Sequence, residues 1–480
     1  MITKKTTNIY IFLIIIFGVF IRAFNINFED LWSDEMVSFW LSNPDFNLAT
    51  TIQIISESNL TFTFEVILKY FHLIFGYDVY VSRYINLIFS SLSLYFFFIL
   101  LKNNSINYTI AKNNNIIYFG LLLLVLNIFH IRYAMELRSY TLTFLLFLIL
   151  LNEIFSNGFI KIEISKTRYF RIILITFSML LSHAFSLLII ISINIYILTV
   201  FFLKKKIYKT HKNIFFINIV VSLIFLIIYL NNINHSPYWI TQLKLSFYTN
   251  YYFSNFFGSR LMGGIYLIVF IYLIFKYLKL NLYNQNINLF FIILFFTTYL
   301  VPIIYSYLFV PILNPRYIFF VIVPILFLIS DLLFYEKNKL VKKFILLLIL
   351  FSTFLNHFTE NTFKQFYSQI YPSKPTIKTA LKHISNSNIH DYSFLLDENN
   401  ALNINSVYKN YLQKYSSKID NELNFINYTE NNFNKNKIWL INITDITNNK
   451  VLTMPAILSN YKILTKKEFN HVKIYLLEKN

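Results

Sequence analysis

Residues 287–308 read INLFFIILFFTTYLVPIIYSYL and contain no Asp, Glu, Lys or Arg. Comparable apolar runs recur along the chain at Ile9–Ile21, Ile116–Phe129 and Phe344–Phe354. A helix needs about 20 mostly apolar residues to cross a bilayer, and these runs reach that length once their aromatic flanks are included. The sequence therefore predicts an integral membrane protein with many helices.

Composition supports the same class. The 480 residues are 56% hydrophobic and only 14% charged, whereas soluble domains carry about a quarter charged residues. The formal net charge is +19, but the basic residues lie in short loops between apolar runs. There they indicate membrane topology and contacts with anionic lipids rather than nucleic-acid binding. The absence of cysteine excludes disulfides and thiolate metal sites.

We predict eleven membrane spans and infer their orientation from the loops. The spans are 8–26, 83–101, 115–131, 138–155, 170–185, 186–203, 214–231, 262–279, 287–308, 317–335 and 344–358. The loops rich in Lys and Arg, such as 161–171 and 204–212, alternate with loops that hold few basic residues. The positive-inside rule places the basic set in the cytoplasm. We therefore expect a cytoplasmic N-terminus and an extracytoplasmic C-terminus.

Two domains are predicted. Residues 1–358 form the membrane module, with long outer loops at 27–82 and 232–261. Residues 359–480 are richer in Asn, Lys, Ser and Asp, and strand-like runs there alternate with a helix-like stretch near 401–414. The strand-like runs are 392–396, 438–443 and 472–477. This pattern predicts a small extracytoplasmic α/β domain.

An acid segment, Glu29–Glu35, follows the first predicted span and holds four carboxylates. Glu29 and Asp30 are interpreted as solvated loop acids. Asp34 and Glu35 lie among apolar residues, so we expect partial burial, which destabilises a charged carboxylate and makes it a stronger base. These two residues are the candidate catalytic pair.

Two arginine-containing segments follow predicted outer turns. In Arg132–Tyr140, Glu136 either forms an ion pair with Arg132 or Arg138 that holds the turn, or accompanies an arginine that binds phosphate. In Asn314-Pro315-Arg316-Tyr317, Arg316 either extends to the lipid headgroups or holds the phosphate of a lipid-linked substrate. The second interpretation is favoured, because the positive-inside rule disfavours arginine on this side.

His183 and Arg83 are further candidates. His183 is interpreted either as a hydrogen-bonded structural residue or as a metal ligand, and Arg83 is an outer cation with Asp78 close by in sequence. The chain contains no Walker loop, GxGxxG, HExxH or GxSxG, so nucleotide-powered transport has no support.

Together these segments resemble the GT-C glycosyltransferases of membranes, in particular the family 39-like group of protein mannosyltransferases, aminoarabinose transferases and their bacterial relatives. The matching segments are Leu31–Glu35, Phe75–Arg83, Tyr133–Tyr140, Ser182-His183 and Pro315–Tyr317 with Pro324. One segment departs from the family pattern. Asn59-Leu60-Thr61-Phe62 stands where relatives have a Pro-Pro-Leu-Tyr-like sequence, which puts in question both the choice of donor or acceptor and the activity itself.

The resemblance implies a transferase that uses a polyprenyl-phosphate-linked sugar outside the cytoplasmic membrane. The acceptor is a glycolipid, a polysaccharide or a protein, and the reaction inverts the anomeric centre. Asp34 would be the general base with Glu35 assisting or binding acceptor. The phosphate would be bound by Arg138, Arg316 with Tyr317, and Arg83, beside Glu136. No cofactor is required; a divalent metal ion with His183 as a ligand is the one candidate.

Three other functions remain open from the residues alone. A transporter or flippase for lipid-linked glycans would also need many helices, and it predicts charged residues within spans and internal repeats. A polysaccharide polymerase would not need an acid pair after the first span. A non-catalytic scaffold that displays the C-terminal domain is the third.

Overall fold

The computed structural model describes residues 4–57, 62–104, 110–157, 159–161, 163–204, 208–230, 251–279, 287–370, 372–395, 404–420, 422–426, 436–443 and 461–480. Two predicted features lie wholly or mostly outside these residues: Asn59–Thr61 of the departing segment, and the outer loop 232–261 up to residue 250.

Most of the described chain is helical. The α-helices are Lys4–Ala23, Ser33–Leu41, Leu48–Glu57, Phe62–Phe75, Val79–Ser82, Tyr84–Asn104, Ile110–Val125, Ile128–Ala134, Tyr140–Ile154, Lys166–Ser182, Leu187–Lys204, Lys209–Leu230, Tyr251–Phe257, Arg260–Lys279, Ile287–Leu308, Ile322–Leu333, Lys339–Asn356, Glu360–Thr362, Ile377–Ser385 and Ile404–Ile419. Short 3₁₀ helices cover Ala184–Ser186 and Pro315–Val321, and Phe363–Tyr367 is a π-helical turn.

The chain divides into two compact units. The first contains Met1–Phe24, Ile55–Phe64 and Asn86–Phe363. The second contains Asn25–Ile54, Glu65–Ile85 and Lys364–Asn480. The division predicted at residue 358 assigned the whole loop 27–82 to the membrane module, whereas most of that loop belongs to the unit that holds the C-terminal residues.

Among the described residues, six helices are long and apolar enough to cross a membrane. They are Val79–Asn104, Ala184–Leu203, Lys209–Tyr229, Arg260–Lys279, Ile287–Leu308 and Pro315–Leu333. Two bent pairs, Asn114–Val125 with Ile128–Ala134 and Lys339–Asn356 with Glu360–Tyr367, raise the number of spans to eight if each pair is one span.

The described residues thus give fewer spans than the eleven predicted, although each predicted segment lies on a helix. Tyr140–Ile154 is apolar but short. In helix Lys4–Ala23 the apolar part, Ile9–Ala23, is also short. Lys166–Ser182 has 17 residues and carries Lys166, Arg168 and Arg171 at its start. Length and charge therefore separate these three helices from the longer ones.

The longer helices expose apolar side chains. Phe216, Leu223 and Ile227 on helix Lys209–Leu230 are each more than half exposed. Soluble monomers rarely expose contiguous apolar faces of this kind. By contrast, helix Ile322–Leu333 is buried along its whole length, with Gly120 of helix Ile110–Val125 packed against it: a Cβ at that glycine would lie 2.8 Å from the Ser330 hydroxyl. The first unit is therefore the helical bundle of a multi-pass membrane protein.

A buried arginine caps the break between the bent helices Asn114–Val125 and Ile128–Ala134, which meet at 55°. Arg22 is fully buried, and its guanidinium donates to the carbonyl oxygens of Val125 at 3.1 Å and Leu124 at 3.0 Å. Its terminal nitrogens also contact the Gly18 carbonyl oxygen at 2.9 Å and Nδ1 of His130 at 2.8 Å. The last carbonyls of a helix have no partner within the helix, so Arg22 supplies the donors that this break requires.

We expect Arg22→Met to lower the stability of the first unit strongly. Each buried group that loses a hydrogen bond without a replacement costs about 1–3 kcal/mol. The substitution removes the Arg22 donors to the Val125 carbonyl, the Leu124 carbonyl and the His130 imidazole. Leu124 keeps the Asn127 N–H and His130 keeps its contact with the Ser90 hydroxyl. The midpoint of thermal unfolding in detergent measures the effect. Arg171→Met is the matched control, because the Arg171 side chain is 54% exposed. Equal shifts for the two variants would contradict the capping role.

Two short strands, β1 (Phe155–Ser156) and β2 (Phe159–Ile160), pair with each other in the first unit. The described strands of the second unit are β3 (Asp391–Leu395), β4 (Asn424–Phe425), β5 (Lys437–Ile443), β6 (Tyr461–Phe469) and β7 (Val472–Lys479). They form one sheet with the order β4-β3-β5-β7-β6. β3 pairs parallel with β4 and β5, while β7 pairs antiparallel with β5 and β6. The predicted α/β composition of this region is confirmed.

The sequence pattern explains which strands were predicted. β5 reads KIWLINI and is buried from its second residue onward, as expected for a central strand covered on both faces. β6 reads YKILTKKEF and is exposed along most of its length. It is an edge strand with three lysines, a composition that discourages pairing with other chains but lacks an apolar signal. This strand was therefore not predicted from the sequence.

Candidate functional site

The predicted site residues are divided between the two units. Asp34, Glu35 and Arg83 belong to the second unit, whereas Glu136, Arg138, His183, Arg316 and Tyr317 belong to the first. Each group has its own geometry.

Asp34 and Glu35 lie in the first turn of helix Ser33–Leu41. The Glu35 carboxylate accepts the Trp32 N–H at 3.2 Å and so caps the start of the helix. Met36 and Phe39 on the following turn are fully buried, and the Phe39 ring stacks on Tyr77 at 4.3 Å. Asp34 is half-buried. Burial of the apolar residues therefore fixes the helix, and the first turn carries the acid pair.

Glu35 is fully buried between two cations. Its Oε2 lies 2.6 Å from the Lys374 ammonium, and its Oε1 lies 3.4 Å from the Arg83 guanidinium. Only the shorter distance is that of a charge-assisted hydrogen bond, so Lys374 is the principal counter-ion. A buried carboxylate without such a partner would be costly. Glu35 therefore has a structural role, as helix cap and partner of Lys374, that was not predicted from the sequence.

Arg83 is also buried, and its guanidinium holds the loop before the acid pair. It donates to the carbonyl oxygens of Ile26 at 3.2 Å and Asp30 at 2.9 Å, and to that of Glu29. These contacts and Glu35 occupy both terminal nitrogens. Phosphate binding by Arg83 stays a prediction, which this geometry does not favour.

Glu29 and Asp30 are not the solvated loop acids that the sequence suggested. Glu29 accepts hydrogen bonds from the Ser373 N–H at 2.6 Å and hydroxyl at 2.8 Å. Asp30 accepts the Lys378 N–H at 2.7 Å. Burial raises the pKa of Asp30 from 3.8 to about 6, although this N–H and the charge of Arg83 act against the increase.

We expect Asp30→Asn to stabilise the protein at neutral pH. Because folding raises the pKa of Asp30, its contribution to stability is full below about pH 4 and is lost as pH rises through about 6. The loss is at most about 3 kcal/mol, and Asn keeps an acceptor for the Lys378 N–H. Melting temperatures at pH 5 and pH 7.5 measure it, with the exposed Asp45→Asn as control. A variant no more stable than wild type at pH 7.5 would contradict this account.

In the first unit, the turn at Glu136–Ser139 is fixed by Asn86, which donates to the carbonyl oxygens of Glu136 and, at 2.9 Å, of Arg138. Glu136 is 4% exposed, and its carboxylate lies 3.7 Å from the half-exposed Arg132. The ion-pair interpretation of Glu136 is thus confirmed for Arg132. At that distance the pair contributes little stability, and Asn86 is the stronger determinant of the turn.

A basic–aromatic cluster gathers three distant sequence segments in the same unit. It consists of Arg138, Tyr140, His183, Arg316 and Tyr317. The Arg316 guanidinium lies 6.0 Å from the Tyr140 ring centre and 5.7 Å from that of Tyr317. The His183 ring is 5.6 Å from Tyr140 and 5.2 Å from Tyr317, and the charges of Arg138 and Arg316 both act on it. Arg138, His183, Arg316 and Tyr317 were candidate site residues from the sequence, whereas Tyr140 was not.

Local sequence explains how two members of the basic–aromatic cluster are presented. Asn314 caps the 3₁₀ helix Pro315–Val321 by accepting the Arg316 N–H at 3.2 Å, with Pro315 at the first position. His183 interrupts two helices, and its Nδ1 accepts the Phe185 N–H at 3.3 Å. Both side chains therefore emerge from helix breaks, where backbone geometry holds them.

The surroundings of His183 do not fit a metal ion. Its Nδ1 is engaged with the backbone, and its described neighbours are aromatic rings and two guanidinium groups, which repel a cation. Among the described residues, one group of three histidine and carboxylate side chains lies close enough to share an ion: His390, Asp420 and Glu422. It belongs to the second unit. A metal at His183 stays a prediction, and no step below depends on one.

The structural roles of Lys374, Asn86 and Arg22 were not predicted from the sequence. Nothing in the local pattern marks Lys374, which lies 339 residues from its partner Glu35. Arg22 carried a usable signal, since a charged residue inside an apolar helix requires a partner.

No protein-family model matches the sequence, and comparison with curated proteins gives no match.

Proposed function

We infer that the chain is a membrane glycosyltransferase that moves a sugar from a polyprenyl-phosphate donor to an acceptor on the extracytoplasmic side. The observation that carries this proposal is the basic–aromatic cluster, in which Arg138 and Arg316 accompany Tyr140, His183 and Tyr317. The guanidinium group is planar and binds phosphate oxygens through two parallel hydrogen bonds. Arg316 is buried and Arg138 is half-buried, and charged side chains near membrane depth often mark the path of a substrate.

The proposed chemistry is inverting displacement at the anomeric carbon. The acceptor oxygen forms a bond to this carbon as the bond from carbon to the phosphate oxygen breaks. The electron pair leaves with the polyprenyl phosphate, and the acceptor proton passes to a carboxylate. Asp34 is assigned as that base, and Arg138 and Arg316 are assigned to the developing phosphate charge.

Glu35 receives a different role from the one first predicted. Its carboxylate is committed to Lys374, Arg83 and the Trp32 N–H. We therefore assign it to holding the first turn of helix Ser33–Leu41, and Asp34 alone to proton transfer.

The proposal includes the GT-C-like topology with eleven spans, a cytoplasmic N-terminus and an extracytoplasmic C-terminal domain. It requires the three short helices to cross the bilayer as well. Tyr140–Ile154 has 15 residues and would be about 22 Å long, so it spans only where the bilayer thins around it.

The test is sugar transfer by membranes that contain the protein, supplied with a panel of radiolabelled polyprenyl-phosphate sugars. We expect one donor to label a cellular lipid, polysaccharide or protein, and membranes without the chain to give no label. Accessibility of a cysteine introduced at the exposed Asn386 to an impermeant reagent in intact cells tests the orientation. Folded protein that consumes no donor would overturn the proposal.

A further inference from the structure

We propose that residues Ser373–Lys378, termed here the bracing segment, position the acid segment Glu29–Glu35, with Lys374 as the positioning residue. Three acids of the acid segment each receive a partner from this one stretch. Glu29 is bound by Ser373, Asp30 by the Lys378 N–H and Glu35 by the Lys374 ammonium. The partners are 339 to 348 residues apart in sequence.

The ion pair between Lys374 and Glu35 is the strongest of these contacts. The Lys374 ammonium is buried, lies 2.6 Å from a carboxylate that is fully buried, and provides the charge that this carboxylate requires. Glu35 in turn accepts the Trp32 N–H and begins the helix whose second residue is Asp34. The orientation of Asp34 therefore depends on Lys374 through one intervening side chain.

The bracing segment is itself fixed from the sheet. Asn470, in the turn between β6 and β7, donates to the carbonyl oxygens of Pro372 and Lys374, both at 2.9 Å. Its own carbonyl accepts the Thr376 N–H at 3.0 Å. Pro372 and Pro375 flank Lys374 and restrict the backbone there. A continuous series of hydrogen bonds thus runs from the β-hairpin to the acid segment.

Helix Ile404–Ile419 supports the same region at a second place. Asn410 accepts the Tyr77 hydroxyl at 2.7 Å, the Tyr415 and Tyr80 hydroxyls are 3.0 Å apart, and Lys418 pairs with Asp78. Arg83, which follows these residues, holds the carbonyls of the acid segment. The C-terminal residues are therefore an integral part of the acid segment's fold rather than an appended module.

The inference rests on the proposed function only where it concerns catalysis; the positioning itself is measurable without activity. Amide hydrogen exchange of residues 27–41 is compared in wild type, Lys374→Met, Lys374→Arg and Lys382→Met. Lys382 is the matched control, since it is exposed on the neighbouring helix. We expect faster exchange in Lys374→Met, recovery in Lys374→Arg and no change in Lys382→Met. Unchanged exchange in Lys374→Met would overturn the positioning role.

A second variant keeps the test informative if Lys374→Met folds poorly. The double variant Lys374→Met with Glu35→Gln removes both charges, so the uncompensated buried carboxylate is gone. We expect residues 27–41 to be better protected in the double variant than in Lys374→Met, because the two residues act on each other. Equal loss of protection in both variants would show that Lys374 does not act through Glu35.

Transfer kinetics then test the catalytic consequence. We expect Lys374→Met to lower kcat by up to about 10²-fold, the effect of a small displacement of a reacting group, with the donor KM unchanged and Lys374→Arg restoring kcat. A raised donor KM with kcat unchanged would contradict positioning of the base. If residues 27–41 exchange faster in Lys374→Met but the wild-type protein transfers no sugar, the positioning role of Lys374 is supported and the proposed transferase activity is overturned.

Discussion

Asp34→Asn is expected to reduce sugar transfer about 10²–10⁴-fold, the range that general-base assistance contributes. Asn has nearly the same shape as Asp but cannot accept the acceptor's proton at neutral pH. Glu35 caps the start of the helix, and the buried side chains of Met36 and Phe39 hold its apolar side. Steady-state kinetics with labelled donor should therefore show a lower kcat in a protein that melts like wild type.

The matched control is Asp45→Asn, an exposed acid in the same unit. We expect it to transfer sugar at the wild-type rate. Comparable activity in Asp34→Asn and Asp45→Asn would remove Asp34 from the mechanism while leaving the enzyme class intact.

Arg316→Met should weaken binding of polyprenyl phosphate roughly 10- to 100-fold, the equivalent of losing one or two charge-assisted hydrogen bonds. The substitution removes the charge but keeps a long apolar side chain against the Tyr140 and Tyr317 rings. Arg316→Lys should give an intermediate affinity, because it keeps the charge and loses the planar fork. Calorimetric titration of the purified protein with sugar-free polyprenyl phosphate measures all three affinities.

Arg260→Met is the control for this titration. Arg260 is an exposed arginine at the start of helix Arg260–Lys279 in the same unit. Unchanged affinity in Arg316→Met, or equal losses in both variants, would contradict a phosphate site at the basic–aromatic cluster.

The sequence predicted what local patterns can encode. Apolar runs located helices at all eleven segments, because their apolar character is a local property of the chain. They did not determine the number of spans, since Lys166–Ser182 and Tyr140–Ile154 differ from the longer helices by a length and a charge that the apolar centre of a run does not reveal.

For the candidate sites too, local motifs were predictable from the sequence and long-range contacts were not. Motif order singled out His183, Arg316 and Tyr317 as separate candidates, and the helix breaks bring them together with Tyr140. The hydrogen-bond partners of Glu29, Asp30 and Glu35 were not predictable, because they lie more than 330 residues away in the sequence. A hydrogen bond between such distant residues produces no local sequence pattern.

One measurement tests the central claim most directly: release of polyprenyl phosphate by the purified protein in liposomes, with labelled donor and a membrane extract as acceptor. The proposed transferase predicts that lipid phosphate and glycosylated product appear in equal amounts, and that Asp34→Asn produces neither. Donor that crosses the bilayer with its sugar still attached would contradict this account and identify a transporter of lipid-linked sugars.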